Sequence, residues 1–315
     1  MPEQKPTGRK RLFLRLLLLP FLLLFFLITL SEFLPIPYLP SWSRLALLTS
    51  DHPPVDVSDV PVSVHFIDAN QSDCTLVMAY GKTLLIDTGD ALYRRQVLRY
   101  LQNQQVERID YLLLTHPHAD HMGNLKEILE TYPVGAVILS RPPEELTPTT
   151  VSYQEMVKAL LSSGAEIKEA HVGDTYSLGN AKLRILSTGA GAENLNDASL
   201  ACKLICSPEH SFLFTGDAEK AGEQALLAEK ADLHATVLHL GHHGSSTSST
   251  PELLDAVSPS YAIISCGRDN SYRFPHESVL RRLEERGILF YRTDKSGDIV
   301  FKVNPDNSIQ VVTTQ

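Results

Sequence analysis

Residues 115–121, Thr-His-Pro-His-Ala-Asp-His, have the composition of a metal-binding loop. They include four potential ligands within six residues: His116, His118, Asp120 and His121. The apolar run at 111–114 precedes them and indicates a buried strand. Buried His and Asp side chains are costly unless they are paired or bound to a metal. The segment therefore predicts metal binding. Its first two histidines share a direction in an extended chain, and its Asp-His pair addresses a second position. The alternative is a solvated polar loop.

Three later segments place further candidates at the carboxyl ends of predicted strands: Asp217 after Phe212–Phe214, His242 and His243 after Ala235–Leu240, and His276 after Tyr261–Ser265. Loops at strand ends let a rigid sheet hold polar side chains around one point. Imidazole and carboxylate without thiolate suit zinc, manganese or iron in a catalytic site. A carboxylate such as Asp217 can bridge two cations about 3.5–4 Å apart, which lower the pKa of a bridging water and polarise a carbonyl or phosphoryl group. These residues predict hydrolysis by a metal-bound hydroxide at a binuclear His/Asp site with two divalent metal ions, Zn or Mn.

The elements that must position these residues are predicted over 62–315. Apolar strands are expected at Val62–Ile67, Cys74–Ala79, Thr83–Ile86, Ile109–Thr115 and Ala136–Leu139, then at Lys182–Leu186, Ser199–Cys206, Phe212–Phe214, Ala235–Leu240 and Tyr261–Ser265, with short strands closing residues 288–313. Helical spacing predicts Tyr93–Leu101, Met122–Tyr132, Tyr153–Ser163, Ala218–Lys230, Pro251–Val257 and Glu277–Arg286. Two successive halves of strands followed by strand–helix units predict an α/β (α+β) fold of two mixed sheets packed face to face, with outer helices.

The first sixty residues differ from this domain in composition. Residues 1–11 form a basic tail, and residues 12–34 are almost wholly apolar, near the roughly 20 residues that span a bilayer. This pattern predicts a transmembrane signal anchor with a cytoplasmic amino end and an extracytoplasmic domain at the cell membrane. The alternative is a signal peptide that is cleaved to release a secreted protein, although no small-residue cleavage site follows the apolar run. The proline-rich residues 35–61 predict an extended linker.

The charge distribution argues against strong binding to duplex DNA. The chain has 28 Lys and Arg and 37 Asp and Glu, for a formal net charge of −9. Residues 1–50 contain six basic and two acidic residues, so the remainder has a net charge of −13. Affinity for nucleic acid depends mainly on neutralisation of phosphates, so an acidic body offers no general attraction.

The motif at 115–121 resembles the signature of the metallo-β-lactamase fold superfamily, an αββα sandwich with a one- or two-metal active site. More narrowly, the sequence resembles the hydrolase domain of ComEC-type DNA-internalisation competence proteins. Its motifs His-Phe-Ile-Asp at 65–68, Leu-Ile-Asp-Thr-Gly at 85–89, Phe-Thr-Gly-Asp at 214–217, His-His-Gly-Ser at 242–245 and Tyr-Arg-Thr-Asp-Lys-Ser-Gly at 291–297 occur in that order. The similarity covers about residues 60–313, and the His-His-Gly-Ser branch also resembles phosphorylcholine esterases.

The resemblance implies a metal-ligand set consisting of His116, His118, Asp120, His121, Asp217 and His243. Of these, the first two histidines hold one metal, Asp120 and His121 hold the second, and Asp217 bridges them. His243 completes the second site, and His242 contacts the substrate phosphate or the leaving group; the reverse assignment of this pair is left open. His276 is a candidate for substrate contact or general acid, or a simple helix-start histidine. The candidate catalytic residues are Asp120, His242 and His276.

Three departures from the family pattern are visible. The third histidine that many members supply to the first metal has no counterpart here, since only His171 and His210 lie in that interval, and water or Asn196 is expected to complete the shell. The segment 70–73 is Asn-Gln-Ser-Asp, where the branch has Gly-Gln-Gly-Asp. The aspartates at 68, 73 and 87 are expected to orient ligands or to form turns. The chain has one membrane span at most, so it is not itself a DNA channel.

Together these features predict a membrane-anchored, extracytoplasmic metal-dependent hydrolase, a phosphodiesterase or nuclease. Its substrate is expected to be nucleic acid or a small phosphoester of the cell envelope. The alternative is a non-catalytic or weakly active accessory protein of DNA uptake or cell-envelope metabolism that retains the fold.

Overall fold

The computed structural model describes residues 8–31 and 55–315, which fall in two separate compact units, residues 1–51 and 52–315. In the first unit, helix α1 runs over Gly8–Ser31 and contains Pro20. No helix within the two described ranges is both long and apolar enough to cross a membrane. The transmembrane anchor predicted over 12–34 is therefore not supported. Most of the predicted linker, residues 35–54, lies outside the described residues.

The second unit consists of two sheets with helices between their strands. Its strands are β1 Val62–Phe66, β2 Thr75–Ala79, β3 Lys82–Ile86, β4 Ile109–Leu114, β5 Val134–Leu139, β6 Glu166–Glu169, β7 Thr175–Leu178, β8 Ala181–Ser187, β9 Ala201–Ile205, β10 Ser211–Phe214, β11 Val237–His239, β12 Tyr261–Ile264, β13 Leu289–Arg292, β14 Ile299–Val303 and β15 Ile309–Thr313. Its α-helices are α2 Arg94–Asn103, α3 Ala119–Met122, α4 Leu125–Thr131, α5 Val151–Ser162, α6 Lys220–Ala228, α7 Pro251–Val257, α8 Glu277–Glu285 and α9 Thr293–Ser296. Short 3₁₀ turns lie at Ala91–Tyr93, Glu144–Leu146 and Gly241–Gly244.

Each sheet combines antiparallel and parallel pairs. The first has the order β15-β14-β1-β2-β3-β4-β5-β6, with antiparallel pairs as far as β3 and parallel pairs from β3 to β6. The second has the order β13-β12-β11-β10-β9-β8-β7, with parallel pairs from β13 to β10. The parallel strands of each sheet all terminate at the same end of that sheet, so the loops that follow them lie side by side.

The two sheets pack face to face around a core of aromatic rings. Phe66 and Phe301 of the first sheet meet Phe212 and Phe214 of the second, with ring centroids 5.5–6.1 Å apart. All four rings are essentially inaccessible to solvent, and each contributes about 2–3 kcal/mol by burial. The opposite faces of the sheets pack against helices in two further apolar clusters. The predicted fold of two mixed sheets with outer helices is confirmed.

The strands that sequence analysis missed are both at sheet edges. β6 pairs only with β5, and β7 pairs only with β8. Three of the four residues of β6 are exposed, including both glutamates, and β7 alternates between exposed and partly or fully buried residues. Short polar edge strands of this kind protect a sheet from further pairing, and they lack the apolar pattern that identifies interior strands.

The helix predicted over Met122–Tyr132 is divided in two. It is interrupted at residues 123–124, between α3 and α4. The buried Asn124 amide donates hydrogen bonds to the backbone oxygens of Thr88 at 2.8 Å and Asp90 at 3.0 Å. These bonds hold the start of α4 to the loop that follows β3, and so fix the segment that bears the Asp-His pair.

Candidate metal centre

The loop after β4 holds the first four candidate ligands at the carboxyl-terminal end of this interior strand of the first sheet. Asp87, which follows β3, accepts hydrogen bonds from the backbone N–H of Thr115 at 2.8 Å and from its hydroxyl at 2.7 Å. The chain is still extended at His118, which precedes the first turn of α3. The rings of His116 and His118 are therefore close together, with centroids 4.6 Å apart. The short helix then turns Asp120 and His121 toward the same space.

The second sheet brings Asp217 to this space from the end of β10. The preceding Gly216 has φ +53°, and a Cβ added there would lie 2.8 Å from the Ser199 hydroxyl and 3.0 Å from the Thr115 Cβ. Glycine is thus required both by the backbone conformation and by the close approach of the two sheets. The Asp217 N–H donates to the Ser199 hydroxyl at 3.0 Å, which holds the carboxylate toward the histidines.

The pair that follows β11 has an unusual backbone. His242 and His243 both adopt left-handed conformations, with φ of 50° and 54°. Such conformations are costly for residues with a Cβ and occur preferentially at functional sites. They direct the two rings differently: His243 is buried, and His242 lies at the rim, with Nδ1 3.1 Å from the Glu219 carboxylate.

These side chains form two clusters that share one carboxylate. Ligand atoms of Asp120, His121, Asp217 and His243 all lie within 4.8 Å of one another, and so do those of His116, His118 and Asp217. In the first cluster, Nε2 of His243 is 3.2 Å from Asp120 Oδ2 and Nε2 of His121 is 3.3 Å from Asp217 Oδ1. In the second, Nε2 of His116 is 3.8 Å from Asp217 Oδ2.

Two buried atoms of the first cluster make no hydrogen bond among the described residues. They are Nε2 of His121 and Oδ1 of Asp217, which face each other. A buried polar atom without a partner costs about 1–3 kcal/mol. A cation between these atoms would satisfy both, and a set of imidazoles and carboxylates suits Zn²⁺ or Mn²⁺. The residues present therefore fit the divalent metal ions that sequence analysis predicted.

A second layer of hydrogen bonds fixes the orientation of the buried imidazoles. His121 Nδ1 donates to Asp87 Oδ2 at 2.8 Å, and His243 Nδ1 donates to the Ser265 backbone oxygen at 3.0 Å. With Nδ1 protonated in each ring, Nε2 presents its lone pair to the cluster, as metal ligation requires. Asp73 lies 3.4 Å from His243 Nδ1 on the same side. Of the two roles expected for Asp73 and Asp87, orienting ligands or forming turns, their positions beside these imidazoles favour the orienting role.

The electrostatics of the centre are those of a compact ionic cluster. Burial alone would lower the pKa of His121, but Asp217, Asp87 and Asp120 raise it well above its ordinary value. Burial likewise opposes ionisation of Asp217, but His121 and His243 hold its pKa well below the usual range. Burial and the neighbouring His121 lower the pKa of His116. A cation that enters the first cluster must therefore displace protons, so binding should release them to solvent.

The remaining predicted residues lie around these clusters. The His276 ring is outside both: it precedes α8, and its Nδ1 accepts a hydrogen bond from the Ser246 N–H at 2.9 Å. His171 is exposed beside Asp174, and His210 contacts Asn307, so neither supplies a third histidine. The Asn196 side chain lines the cleft, and its buried Oδ1 has no hydrogen-bond partner within the described part of the chain.

The clusters open into a cleft of about 320 Å³, which is lined by Gln71, His118, Ala119, Asp120, Asn196, Asp217, His242, His243, Tyr272 and Phe274. Sequence analysis missed the two aromatic residues of this cleft. It also missed Ser199, which bonds Asp217, and Glu219, which pairs with His242. Serine and glutamate are common on surfaces, so their types give no signal. The sequence Tyr272-Arg-Phe274 before Pro275 carries only a weak one, an aromatic pair two residues apart.

Comparison with known proteins agrees with this geometry. Residues 67–268 match the model of the Metallo-beta-lactamase superfamily. ComE operon protein 3 of Bacillus subtilis is 29% identical over 263 residues, which cover 76% of this chain and 33% of that protein. Recombination protein 2 of Haemophilus influenzae is 31% identical over 241 residues, covering 75% of this chain and 28% of that protein. The chain thus spans about a third of the length of these relatives.

Among solved structures, that of CmlA, a diiron β-hydroxylase from Streptomyces venezuelae, aligns with 84% of this chain and 60% of its own. Its TM-score is 0.53 and its sequence identity 16%, so this likeness concerns the fold alone. The family match covers more than half of the chain and includes the loop that bears the first four candidate ligands. The chain belongs to the metallo-β-lactamase superfamily.

Proposed function

We propose that this protein is a metal-dependent hydrolase of phosphodiesters. The observation that carries the proposal is the pair of His/Asp clusters that share Asp217 at the base of a cleft. His116 and His118 would hold one cation with Asp217, and the other three members of the larger cluster would hold the second. Two divalent cations in such a site polarise a phosphoryl group and lower the pKa of a water toward neutrality.

The chain's own residues supply the remaining functions. His242 lies at the rim with Nδ1 beside the Glu219 carboxylate, and its ring would contact the leaving oxygen as proton donor. Asp120 is the partly exposed carboxylate of the larger cluster, and it can accept a proton from a water in the cleft. His276 accepts the Ser246 N–H with Nδ1, and its Nε2–H would contact a substrate oxygen that extends beyond the cleft. These are the proposed roles of the three candidate catalytic residues.

The nature of the relatives favours nucleic acid over a small envelope phosphoester. The proteins named above are a product of the ComE operon and a recombination protein. By analogy, the substrate of this chain is a phosphodiester of DNA. The acidic body opposes tight duplex binding, so the substrate must be recognised locally, in the cleft. The extracytoplasmic location stays a prediction from the first residues of the sequence.

The test is hydrolysis of bis-p-nitrophenyl phosphate by the full chain with added Mn²⁺ or Zn²⁺. Asp217→Ala removes the shared carboxylate and should abolish the reaction. Asp255→Ala, on the exposed surface of α7, is the matched control and should retain it. Equal rates for the Asp217 variant and the unmodified protein would refute the proposal.

A second function is favoured by one specific observation: among the described residues, the smaller cluster has no third histidine. A weakly held metal there would suit an accessory protein that retains the fold without efficient catalysis. Metal analysis after reconstitution separates the two functions. Two equivalents per chain support the hydrolase, and fewer than one supports the accessory protein.

A further inference from the structure

We propose that Tyr272 and Phe274 form a stacking platform for an unpaired nucleobase, so that the substrate of the cleft is single-stranded nucleic acid. This inference rests on the proposed phosphodiesterase function and adds its substrate class. The two residues lie in the loop at 267–276, between β12 and α8, and both line the cleft of the metal centre.

Three nearly parallel rings lead from the metal centre to the surface. The Phe274 ring lies 6.4 Å from that of His243 at an interplanar angle of 28°, and the Tyr272 ring lies 5.3 Å from Phe274 at 14°. Phe274 is 9% exposed, whereas Tyr272 is 64% exposed. One face of Tyr272 is thus covered by Phe274, and the ring remains widely accessible. A flat ligand on the free face would extend the stack.

The Asn270 side chain holds the platform in place. The amide nitrogen of Asn270 donates to the backbone oxygens of Gly267 at 2.9 Å and Phe274 at 2.7 Å, and its oxygen accepts from the Phe274 N–H at 2.8 Å. These three bonds close the loop on itself. A loop that is ordered before binding does not have to be ordered by the ligand, so more of the stacking energy appears as affinity.

The chemistry of the surroundings selects an unpaired base as the ligand. Stacking on an aromatic ring contributes about 1–3 kcal/mol per base and is independent of sequence, because every base has a π-face. Stacking also requires no extended positive surface, so the net negative charge of this domain does not oppose it. A base within a duplex is already stacked on both faces, so it cannot occupy the platform. The exposed Arg273 lies between the two aromatic residues and places one positive charge on the same loop.

The shape of the platform argues against a quaternary ammonium group such as choline. Recognition of such a cation uses several aromatic faces that surround it. Here the two rings are nearly parallel and stacked on each other, so they offer one flat face and no cage. The ring centroids of Tyr272 and His243 can be no farther apart than the 5.3 Å and 6.4 Å steps of the stack taken together. A short single strand can therefore bridge the platform and the metal centre.

The experiment measures binding rather than turnover. Fluorescein-labelled oligothymidylate is titrated with the full chain in a chelator at low ionic strength, and anisotropy is recorded. Tyr272→Ala should weaken binding about fivefold to tenfold, the lower part of the range for one stacked base. Tyr272→Phe keeps the ring and should bind as the unmodified protein does. Tyr80→Ala, a partly exposed tyrosine at the distant β2–β3 turn, is the matched control and should also bind normally.

An abasic strand of the same length provides the second measurement. The unmodified protein should bind it as weakly as Tyr272→Ala binds oligothymidylate. Equal affinity for the two strands, unchanged affinity in Tyr272→Ala, no measurable binding of oligothymidylate, or displacement by choline as effective as by thymidine would each overturn the inference. Because this assay contains no metal and no turnover, its result is separate from that of the hydrolysis test. Loss of hydrolysis with retained base-dependent binding would refute only the hydrolase.

Discussion

The orienting role of Asp87 leads to the most discriminating prediction. Asp87 is buried, and its Oδ2 accepts from both the Thr115 hydroxyl and His121 Nδ1. In Asp87→Asn, Oδ1 can still accept from the Thr115 N–H, and Asn tolerates the left-handed backbone of this position, φ 56°. The new NH₂ group, however, cannot accept from His121. The imidazole is then driven to the tautomer that protonates Nε2, the atom facing Asp217.

The size of the effect follows from this contact. Loss of an outer partner of a ligating histidine typically costs tenfold to a hundredfold in metal affinity. We expect Asp87→Asn to weaken binding of the tighter equivalent of Zn²⁺ or Mn²⁺ by this factor. Loss of the charged hydrogen bond should also lower the free energy of unfolding by about 1.5–3 kcal/mol.

Metal affinity is measured by competition with a fluorescent chelator, and stability by urea denaturation of the metal-free protein. Asp90→Asn is the matched control, because Asp90 lies in the same loop and caps Ala91–Tyr93 by accepting from the Leu92 N–H at 2.7 Å. Asparagine caps helices as well as aspartate does, so this variant should behave as the unmodified protein. Metal affinity within twofold of normal in Asp87→Asn would refute the argument that Asp87 orients His121.

Two further predictions concern stability. Burial and the neighbouring Asp298 raise the pKa of Asp68 to about 7. The folded state therefore retains a proton that the unfolded state releases from about pH 4 upward. Because of this difference, the free energy of unfolding falls as the pH rises from about 4 toward 7. Asp68→Asn stays neutral, so its free energy of unfolding at about pH 8 should exceed that of the unmodified protein by about 1–3 kcal/mol, and the gain should shrink near pH 4. Urea denaturation at both pH values measures this difference. A gain independent of pH would contradict the prediction. Gly216→Ala should destabilise by about 1–3 kcal/mol more than Gly287→Ala in the same assay, because both positions have positive φ but only the Gly216 Cβ would meet Ser199. Equal losses would show that the close approach of the sheets carries no cost.

Strand-end positions predicted that the side chains of the centre would lie close together, whereas the ligand set itself came from the family resemblance. His276 was placed by the same strand-end rule and lies outside both clusters. His116, Asp217 and the pair at 242–243 all follow apolar strands, and the carboxyl ends of parallel strands converge at one edge of a sheet. The family resemblance assigned His243 to the metal and His242 to the substrate, with the reverse left open, and His243 is the one that lies in the cluster. Residue type alone could not decide this, because the split depends on two consecutive left-handed backbone conformations. Histidine rarely adopts such angles, and nothing in its type announces them.

The partners of the ligands were also beyond sequence analysis. Ser199 and Glu219 act through contacts between segments that are distant in the chain, and their types are ordinary at the surface. The platform residues Tyr272 and Phe274 become a pair only because Asn270 closes their loop. Sequence analysis also missed the edge strands β6 and β7, because they bury too few apolar side chains to show a periodic pattern.

The sharing of Asp217 by the two clusters has a thermodynamic consequence. Under the proposed function, a cation in one cluster fixes this carboxylate for its neighbour but also neutralises part of its charge and repels a second cation. The two bindings are therefore coupled, and linkage requires the coupling factor to be the same whichever ion arrives first. The ratio of singly to doubly loaded protein during a metal titration would measure that factor directly. Expressed as a free energy, this factor would state how strongly the shared carboxylate couples the two metal sites.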